Sequence, residues 1–333
     1  MATPRGKNVH PASARSLRAA AARLRRGELV AFPTETVYGL GANALDEKAV
    51  AKIFAAKGRP PDNPIIVHVS DQKMLRKVAR RVPARAKKLI ARFWPGPLTL
   101  ILSKKSLVPS LVTAGLDTVA VRMPQGLARD LVRLAAVPIA APSANVSGHP
   151  SPTTAAHVAE DFPGVFVLDG GPTRHGVEST VLALEPHPVV LRQGAVTEEA
   201  LRTLIPELRG SGGARPATRA AAPGSPAVSP GTKYTHYAPS RPLILFLRKS
   251  SLLSYFRRHP GALILCPSRL SPLFPKQRIL PLGDTPEEIA RALFAALRTQ
   301  RRGTELLALA IPRRGIGRAV MDRLTRAATR IVP

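Results

Sequence analysis

The sequence predicts a mixed α/β unit followed by a small open parallel α/β unit, and three observations lead there. Short apolar runs interleave with helical periodicity in the first two-thirds of the chain without strict alternation, which fits strands and helices sharing one mixed sheet. A low-complexity stretch, RGSGGARPATRAAAPGSPAVSP from Arg209 to Pro230, interrupts the pattern and has linker composition. From Arg241 strand-like and helix-like segments then alternate regularly, as βαβ units do. The expected organisation is a first domain over 8–208, a linker over 209–240 and a second domain over 241–333.

Each element has its own reason. Ser13–Arg26 reads as a helix with Leu17, Ala20, Ala21 and Leu24 on one face, stopped by Gly27. Leu29–Phe32 reads as a buried strand. Pro33-Thr34-Glu35-Thr36 breaks it, and Tyr38-Gly39-Leu40-Gly41 reads as a glycine turn or a place of close ligand approach. Ala49–Ala56 has helical spacing and ends in Lys57-Gly58-Arg59-Pro60-Pro61, where Gly58 suits a left-handed cap and the prolines forbid continuation. Ile65–Val69 is β-branched and reads as a strand containing His68. A basic helical stretch from Asp71 to Ala91 breaks at Pro83, and Trp94 sits in the rigid turn Phe93–Pro97. Strands follow at Leu98–Ser103 and Val119–Met123, then a helix at Leu127–Ala135. Three more strands are expected at Phe166–Leu168, Ser179–Leu184 and Val189–Arg192. In the second unit the strands are Leu243–Leu247, Ala262–Leu265 and Leu306–Ile311. Helices are expected around Leu252–Phe256, from Thr285 to about Arg298, and at Gly317–Ala328. Thr285-Pro286-Glu287-Glu288 opens the middle one with a hydroxyl cap, an N1 proline and first-turn acids. Gly315-Ile316-Gly317 is a weak nucleotide fingerprint, so this unit reads as regulatory or structural.

Composition narrows the function classes. Of 333 residues, 44% are hydrophobic, enough for a real core. Net charge is +29, from 50 Lys+Arg against 21 Asp+Glu, which favours polyanionic partners such as nucleotides or RNA. An Arg/Ala/Pro-rich background explains the same number, because the arginines are scattered rather than clustered. The single cysteine, Cys266, excludes intrachain disulfides and cysteine-built zinc sites, and its apolar setting suits a buried small hydrophobe. No run reaches the roughly 18 apolar residues of a membrane span, and the Arg/Ala-rich start lacks a secretory hydrophobic region, so the cytoplasm is the expected location.

Two stretches carry candidate chemistry. Lys57 and Arg59 stand two apart on a stiff loop, a point charge beside a planar fork, which suits phosphate oxygens; a solvated helix end explains the same pair. Pro138–Pro152 (PIAAPSANVSGHPSP) carries Ser143, Asn145, Ser147, Gly148 and Ser151, small side chains that leave backbone N–H groups free to meet a ligand, or make an ordinary turn. Neither a GxxxxGK[ST] loop nor a GxGxxG after a strand occurs at the first of these. The run Pro230-Gly-Thr-Lys-Tyr-Thr-His-Tyr-Ala-Pro239 is too rich in aromatic and titratable residues for a plain linker.

Taken in order, Pro33–Gly41 (PTETVYGLG), Lys57–Pro60 (KGRP), Asn63-Pro64, Trp94–Thr99 (WPGPLT), Val121–Pro124 (VRMP), Pro142–Asn145 (PSAN) and Ser179–Val181 (STV) resemble the YrdC-type catalytic domain. With Pro230–Pro239 and the second unit, nearly the whole chain resembles the two-domain threonylcarbamoyl-AMP synthase family. The resemblance implies a YrdC-like twisted sheet with a positively charged concave face, then a small Rossmann-like domain. It implies a reaction joining L-threonine, bicarbonate and ATP to threonylcarbamoyl-AMP and pyrophosphate, with Mg2+ accompanying ATP and no metal site built by the protein. Downstream proteins would pass the group to adenosine beside the tRNA anticodon. By the same resemblance Lys57, Arg59, Ser143 and Asn145 form the catalytic set. Thr36, His68, Arg122, Ser179 and its neighbour Thr180 match threonine-side positions, with Arg122 pairing the carboxylate. Arg59, Asn63, Thr118, Ala141, Ser143, Ser151 and Arg192 match nucleotide-side positions. Tyr234 and His236 would come from a linker that closes as a lid. Ala183 departs from the pattern, standing where many relatives carry an acid.

Two other readings draw on the same residues. A non-enzymatic double-stranded RNA or tRNA binder would use the same basic fold and charge. A carbamoyltransferase of the hydrogenase-maturation kind shares the YrdC-type domain but carries cysteine-rich zinc fingers, which one cysteine cannot supply.

Overall fold

The computed structural model describes residues 8–209 and 237–333. The first segment runs β1 (Val9–Pro11), α1 (Ala14–Arg25), β2 (Val30–Pro33), β3 (Tyr38–Asn43), α2 (Glu47–Lys57), β4 (Val67–His68), α3 (Gln72–Val78), α4 (Ala84–Phe93) and β5 (Leu98–Ser103). It continues α5 (Ser110–Thr113), β6 (Thr118–Arg122), α6 (Gly126–Ala135), β7 (Ile139–Ala140), α7 (Ala155–Asp161), β8 (Phe166–Asp169), β9 (Thr180–Ala183), β10 (Val189–Arg192) and α8 (Glu198–Arg202). The second segment runs β11 (Leu243–Phe246), α9 (Lys249–Arg258), β12 (Leu263–Cys266), β13 (Ile279–Pro281), α10 (Pro286–Leu297), β14 (Leu306–Leu309), α11 (Gly317–Ala327) and β15 (Arg330–Val332).

The first segment forms a ten-stranded mixed sheet in the order β1-β8-β2-β3-β7-β4-β6-β5-β9-β10. The second forms a five-stranded sheet, β13-β12-β14-β11-β15, whose pairs are all parallel. Caps behave as residue chemistry dictates. Ser13 makes a capping box with Ser16, and Thr285 makes one with Glu288 after which Pro286 opens α10. Gly58 ends α2 at φ 59°.

Several expectations change. Tyr38–Gly41 is not a turn but the start of β3, antiparallel to β2. Gly41 answers a packing need, since a Cβ there would stand 2.6 Å from the Phe32 ring and 2.8 Å from Ile139. The strand expected over Ile65–Val69 narrows to Val67–His68. Short edge or peripheral strands at β1, β13 and β15 had no signal of their own; each pairs with a stronger neighbour that supplies its hydrogen bonds. Tyr234 and His236, expected to belong to a lid, lie outside the described residues.

The two sheets are joined by a seam that is partly apolar and partly charged. Val37 and Val177 of the first segment pack in the same apolar cluster as Ile289, Leu293 and Phe294 of α10. Arg298, just past α10, donates to both carboxylate oxygens of Asp161 (3.2 and 2.6 Å) and to the Pro150 carbonyl. Arg318 on α11 pairs with Glu199 at 2.7 Å. A Cβ on Gly176 (φ 72°) would come within 2.4 Å of the Ala290 carbonyl oxygen, so the backbones meet with no room for a side chain.

Candidate active site

A cleft of about 760 Å3, open solvent included, lies at the centre of the large sheet. This falls in the range of small-molecule sites, roughly 300–1,000 Å3. Its walls come from β3, the end of α2, β4, the end of β6, the 141–151 loop, the start of β9, the end of β10 and Tyr237. Residues far apart in sequence converge here because β3, β7, β4 and β6 are consecutive in the sheet.

Lys57 closes α2 and is 2% exposed. Its ammonium donates to the carbonyl oxygen of Ser143 at 2.6 Å and to that of Asn145, while Ser147 N–H donates back to the Lys57 carbonyl at 2.9 Å. The lysine thus stitches the 143–147 loop to the helix. Burial, then the neighbouring charge of Arg59, holds the Lys57 ammonium well below the ordinary lysine range. Arg59 is clamped by its own loop, donating to the carbonyls of Asn63 (3.1 Å) and Pro64 (2.7 Å). Burial and the charge of Arg192 bring it down to about 10. Asn145 spends its amide on the carbonyls of Val146 and His149, which shapes the loop.

Across the cleft, Arg122 forms a buried ion pair with Glu35 and donates to Thr36 Oγ1 at 2.9 Å. Thr36 Oγ1 also lies 2.7 Å from Thr34 Oγ1. His68 is buried beside them, and burial with the Arg122 charge lowers it to about 3, so its imidazole is neutral. Ser179 lies 2.8 Å from Thr99 Oγ1 and accepts from Arg192 at 3.1 Å.

The cleft brings together Thr36, Lys57, Arg59, His68, Arg122, Ala141, Ser143, Asn145, Ser151, Ser179 and Arg192 among the residues singled out from sequence. It does not include Asn63, Thr118 or Thr180. Asn63 is buried behind the wall, with its carbonyl engaged by Arg59. Thr118 begins β6 opposite Ser103, a strand length from Arg122. Thr180 turns its hydroxyl to the Val196 carbonyl, which leaves Ser179 as the hydroxyl facing the cleft.

Sequence reading missed three wall residues. Glu178 accepts from Ser151 Oγ at 2.7 Å and pairs with Arg323 of α11. Burial pushes its carboxyl up, but Arg323, Arg192 and the Ser151 hydroxyl outweigh this and bring it down to about 2. Tyr237 is buried ahead of β11, its backbone at φ 69°. Tyr38 is buried and donates to the Gly171 carbonyl at 2.8 Å. Tyr38 lay in the glycine stretch read as a possible place of ligand approach and Tyr237 in the dense Pro230–Pro239 run, while Glu178 had no signal of its own.

Among the described residues no three His, Cys, Asp or Glu side chains are grouped to hold a metal ion, and no helix is long and apolar enough to cross a membrane.

Comparison with known proteins fits this geometry. A family model described as telomere recombination matches residues 22–194, and one described as threonylcarbamoyl-AMP synthase C-terminal domain matches 196–329. Over 93% of the chain, the sequence is 48% identical to threonylcarbamoyl-AMP synthase of Pyrococcus abyssi, 93% of which is covered. It is 44% identical to that of Bacillus subtilis, with 93% of this chain and 92% of the relative covered. The crystal structure of P. abyssi Sua5 complexed with L-threonine superposes with a TM-score of 0.87 at 46% identity, covering 97% of this chain and 98% of that one. E. coli YciO, at 22% identity and a TM-score of 0.50, shares the fold of the first unit, covering 56% of this chain and 94% of that one. By full-length identity, by both family models and by structure, the chain belongs to the threonylcarbamoyl-AMP synthase family.

Proposed function

We propose that this chain joins L-threonine, bicarbonate and ATP into L-threonylcarbamoyl-adenylate, releasing pyrophosphate. The family is one of adenylyl-transferring enzymes. The observation that carries the proposal is a single cleft in which Lys57, Arg59, Arg122 and Arg192 line the walls around the Ser143–Asn145 loop.

The threonine amine takes up bicarbonate with loss of water, giving a carbamate. A carbamate oxygen then attacks the α-phosphorus of ATP, the bond to the β-phosphate bridging oxygen breaks, and pyrophosphate leaves. Both reactants are anions, so charge neutralisation and alignment dominate the barrier. Arg59 and Arg192 face the phosphates in this reading. An ammonium has three donors, and Lys57 uses two on the loop, keeping one for a phosphate oxygen. Arg122, Thr36 and Ser179 form the threonine side, and neutral His68 serves as a hydrogen-bonding wall rather than a cation. Asn63, Thr118 and Thr180 would then act from behind the wall, and Tyr234 and His236 remain lid candidates.

Glu178 is the only carboxylate in the described lining, and Arg323 and Ser151 already occupy it. That donor set fits Mg2+ carried in by the triphosphate, whose charge it would offset, rather than an ion resident on protein carboxylates. The product would feed the transfer of the threonylcarbamoyl group to tRNA by other proteins in the cytoplasm.

The test is pyrophosphate release from ATP by the purified chain, with threonine and bicarbonate supplied or withheld. Release that needs both supports the synthase. Release indifferent to threonine, or none, moves the reading to tRNA or double-stranded RNA binding, for which a steep salt dependence is the signature.

A further inference from the structure

We infer that Arg323, carried by the second unit, is a positioning residue for the nucleotide site of the first: it neutralises Glu178 and fixes the Ser151 hydroxyl in the cleft wall. The inference rests on the ATP-binding reading above.

Glu178 poses an electrostatic problem. It is a buried carboxylate in the wall of a cleft to which Lys57, Arg59, Arg122 and Arg192 contribute four cationic side chains. Left bare, it would repel a triphosphate and lower the field that Arg59 and Arg192 create. The first unit does not solve this alone. Arg323 reaches across the seam from α11, and its Nε and one terminal nitrogen lie 3.0 and 2.9 Å from Glu178 Oε2. The other oxygen, Oε1, is thereby left to accept from Ser151 Oγ at 2.7 Å.

That arrangement decides what Ser151 can offer. With its only hydrogen committed to Glu178, the hydroxyl presents lone pairs alone to the cleft. It can accept from an N–H or O–H of a nucleoside but cannot donate to a phosphate oxygen. Ser151 is therefore assigned to the nucleoside end of ATP, away from the phosphates.

Arg323 is itself built in. Its side chain is fully buried, its guanidinium lies 5.5 Å from the centre of the Tyr237 ring, and Asp322 at 2.8 Å balances it from the other side. Tyr237 also lines the cleft. A contact made only to dock the two units would not need to end on two cleft-wall residues. The Arg298–Asp161 and Arg318–Glu199 pairs dock the units, and neither side chain of these pairs lines the cleft.

The experiment is steady-state pyrophosphate release by the full chain. Arg323→Met keeps the apolar stem and removes the charge. It is expected to raise the ATP KM about tenfold or more while the threonine KM stays within about twofold. Adding Glu178→Gln to that variant is expected to bring the ATP KM back to within about threefold of wild type, because the amide keeps an acceptor for Ser151 and drops the charge. Arg318→Ala, which weakens the same seam at its rim, should leave both KM values near wild type. An unchanged ATP KM in Arg323→Met, failure of the double variant to recover, or an equal effect from Arg318→Ala would each overturn the inference. If Arg323→Met does not fold, Arg323→Gln removes the charge but keeps an N–H donor for Glu178; a raised ATP KM with an unmoved threonine KM supports the inference, and an unmoved ATP KM overturns it. Wild type without threonine-dependent release would instead overturn the functional reading itself.

Discussion

Arg122 and Glu35 stand 2.7 Å apart in an ion pair whose side chains are 4% and 5% exposed. The pair brings a full positive charge to the cleft wall without leaving it uncompensated in the apolar sheet. Removing the anion alone strands the cation. Glu35→Ala is expected to lower stability by about 3 kcal/mol, read as a shift in denaturant midpoint at unchanged slope. A loss below about 0.5 kcal/mol would mean that water or a neighbour compensates Arg122.

Lys57 and Arg59 should be indispensable for chemistry. Lys57→Ala and Arg59→Ala are each expected to abolish threonine-dependent pyrophosphate release while circular dichroism reports an intact fold. Normal turnover in either would end the phosphate assignment.

Proton linkage offers a finer reading of Lys57. Burial and Arg59 depress its ammonium in the free protein, and a triphosphate opposes both effects. Between the depressed value and the ordinary one near ~10.4, the free protein has shed a proton that the complex retains. ATP binding in that window should therefore take up a proton. Titration calorimetry in buffers of different ionisation enthalpy should report the uptake in wild type and its disappearance in Lys57→Met.

His68 sets an acid limit. Its folded value of about 3 lies below the unfolded value of about 6.5, so the unfolded chain binds the proton first. Its contribution to stability is full above about pH 6.5 and is lost as pH falls through the window toward 3. His157, lowered to about 4 by burial and Arg298, adds a slope of the same sign. His68→Gln should flatten the acid side of a stability-against-pH curve without removing the His157 part.

Much of this was legible in one dimension. The helix limits follow from Ser13, Gly58 and Thr285, whose caps act within a few residues. Lys57, Arg59, Ser143 and Asn145 were singled out as a set by their resemblance to family motifs, since each run by itself also suits a helix end or an ordinary turn. Of the two readings of Tyr38–Gly41, the turn gives way to strand β3, where Gly41 faces the Phe32 ring, while Tyr38 and Gly39 do line the cleft. Glu178 and Arg323 were invisible for a plainer reason: they are 145 positions apart, and each looks like an ordinary surface charge until the sheets meet. Thr180 was indistinguishable from Ser179 until strand pairing decided which hydroxyl turned inward.

The seam between the sheets tolerates little. Gly176 combines a left-handed φ of 72° with backbone of α10 at the distance of a missing methyl group. Gly176→Ala is expected to cost about 2 kcal/mol or more and to lower the melting temperature. A variant as stable as wild type would show that the two units can slide apart at this point.

Arg298 gripping Asp161 and Pro150 from beyond α10 also bears on how the protein can be dissected. If the chain is severed within 210–236, the two pieces keep every seam contact described above but lose the shared tether that holds them at high effective concentration. The N-terminal fragment alone would then be an incomplete enzyme whose activity titrates with added C-terminal fragment, half-saturating at the dissociation constant of the seam.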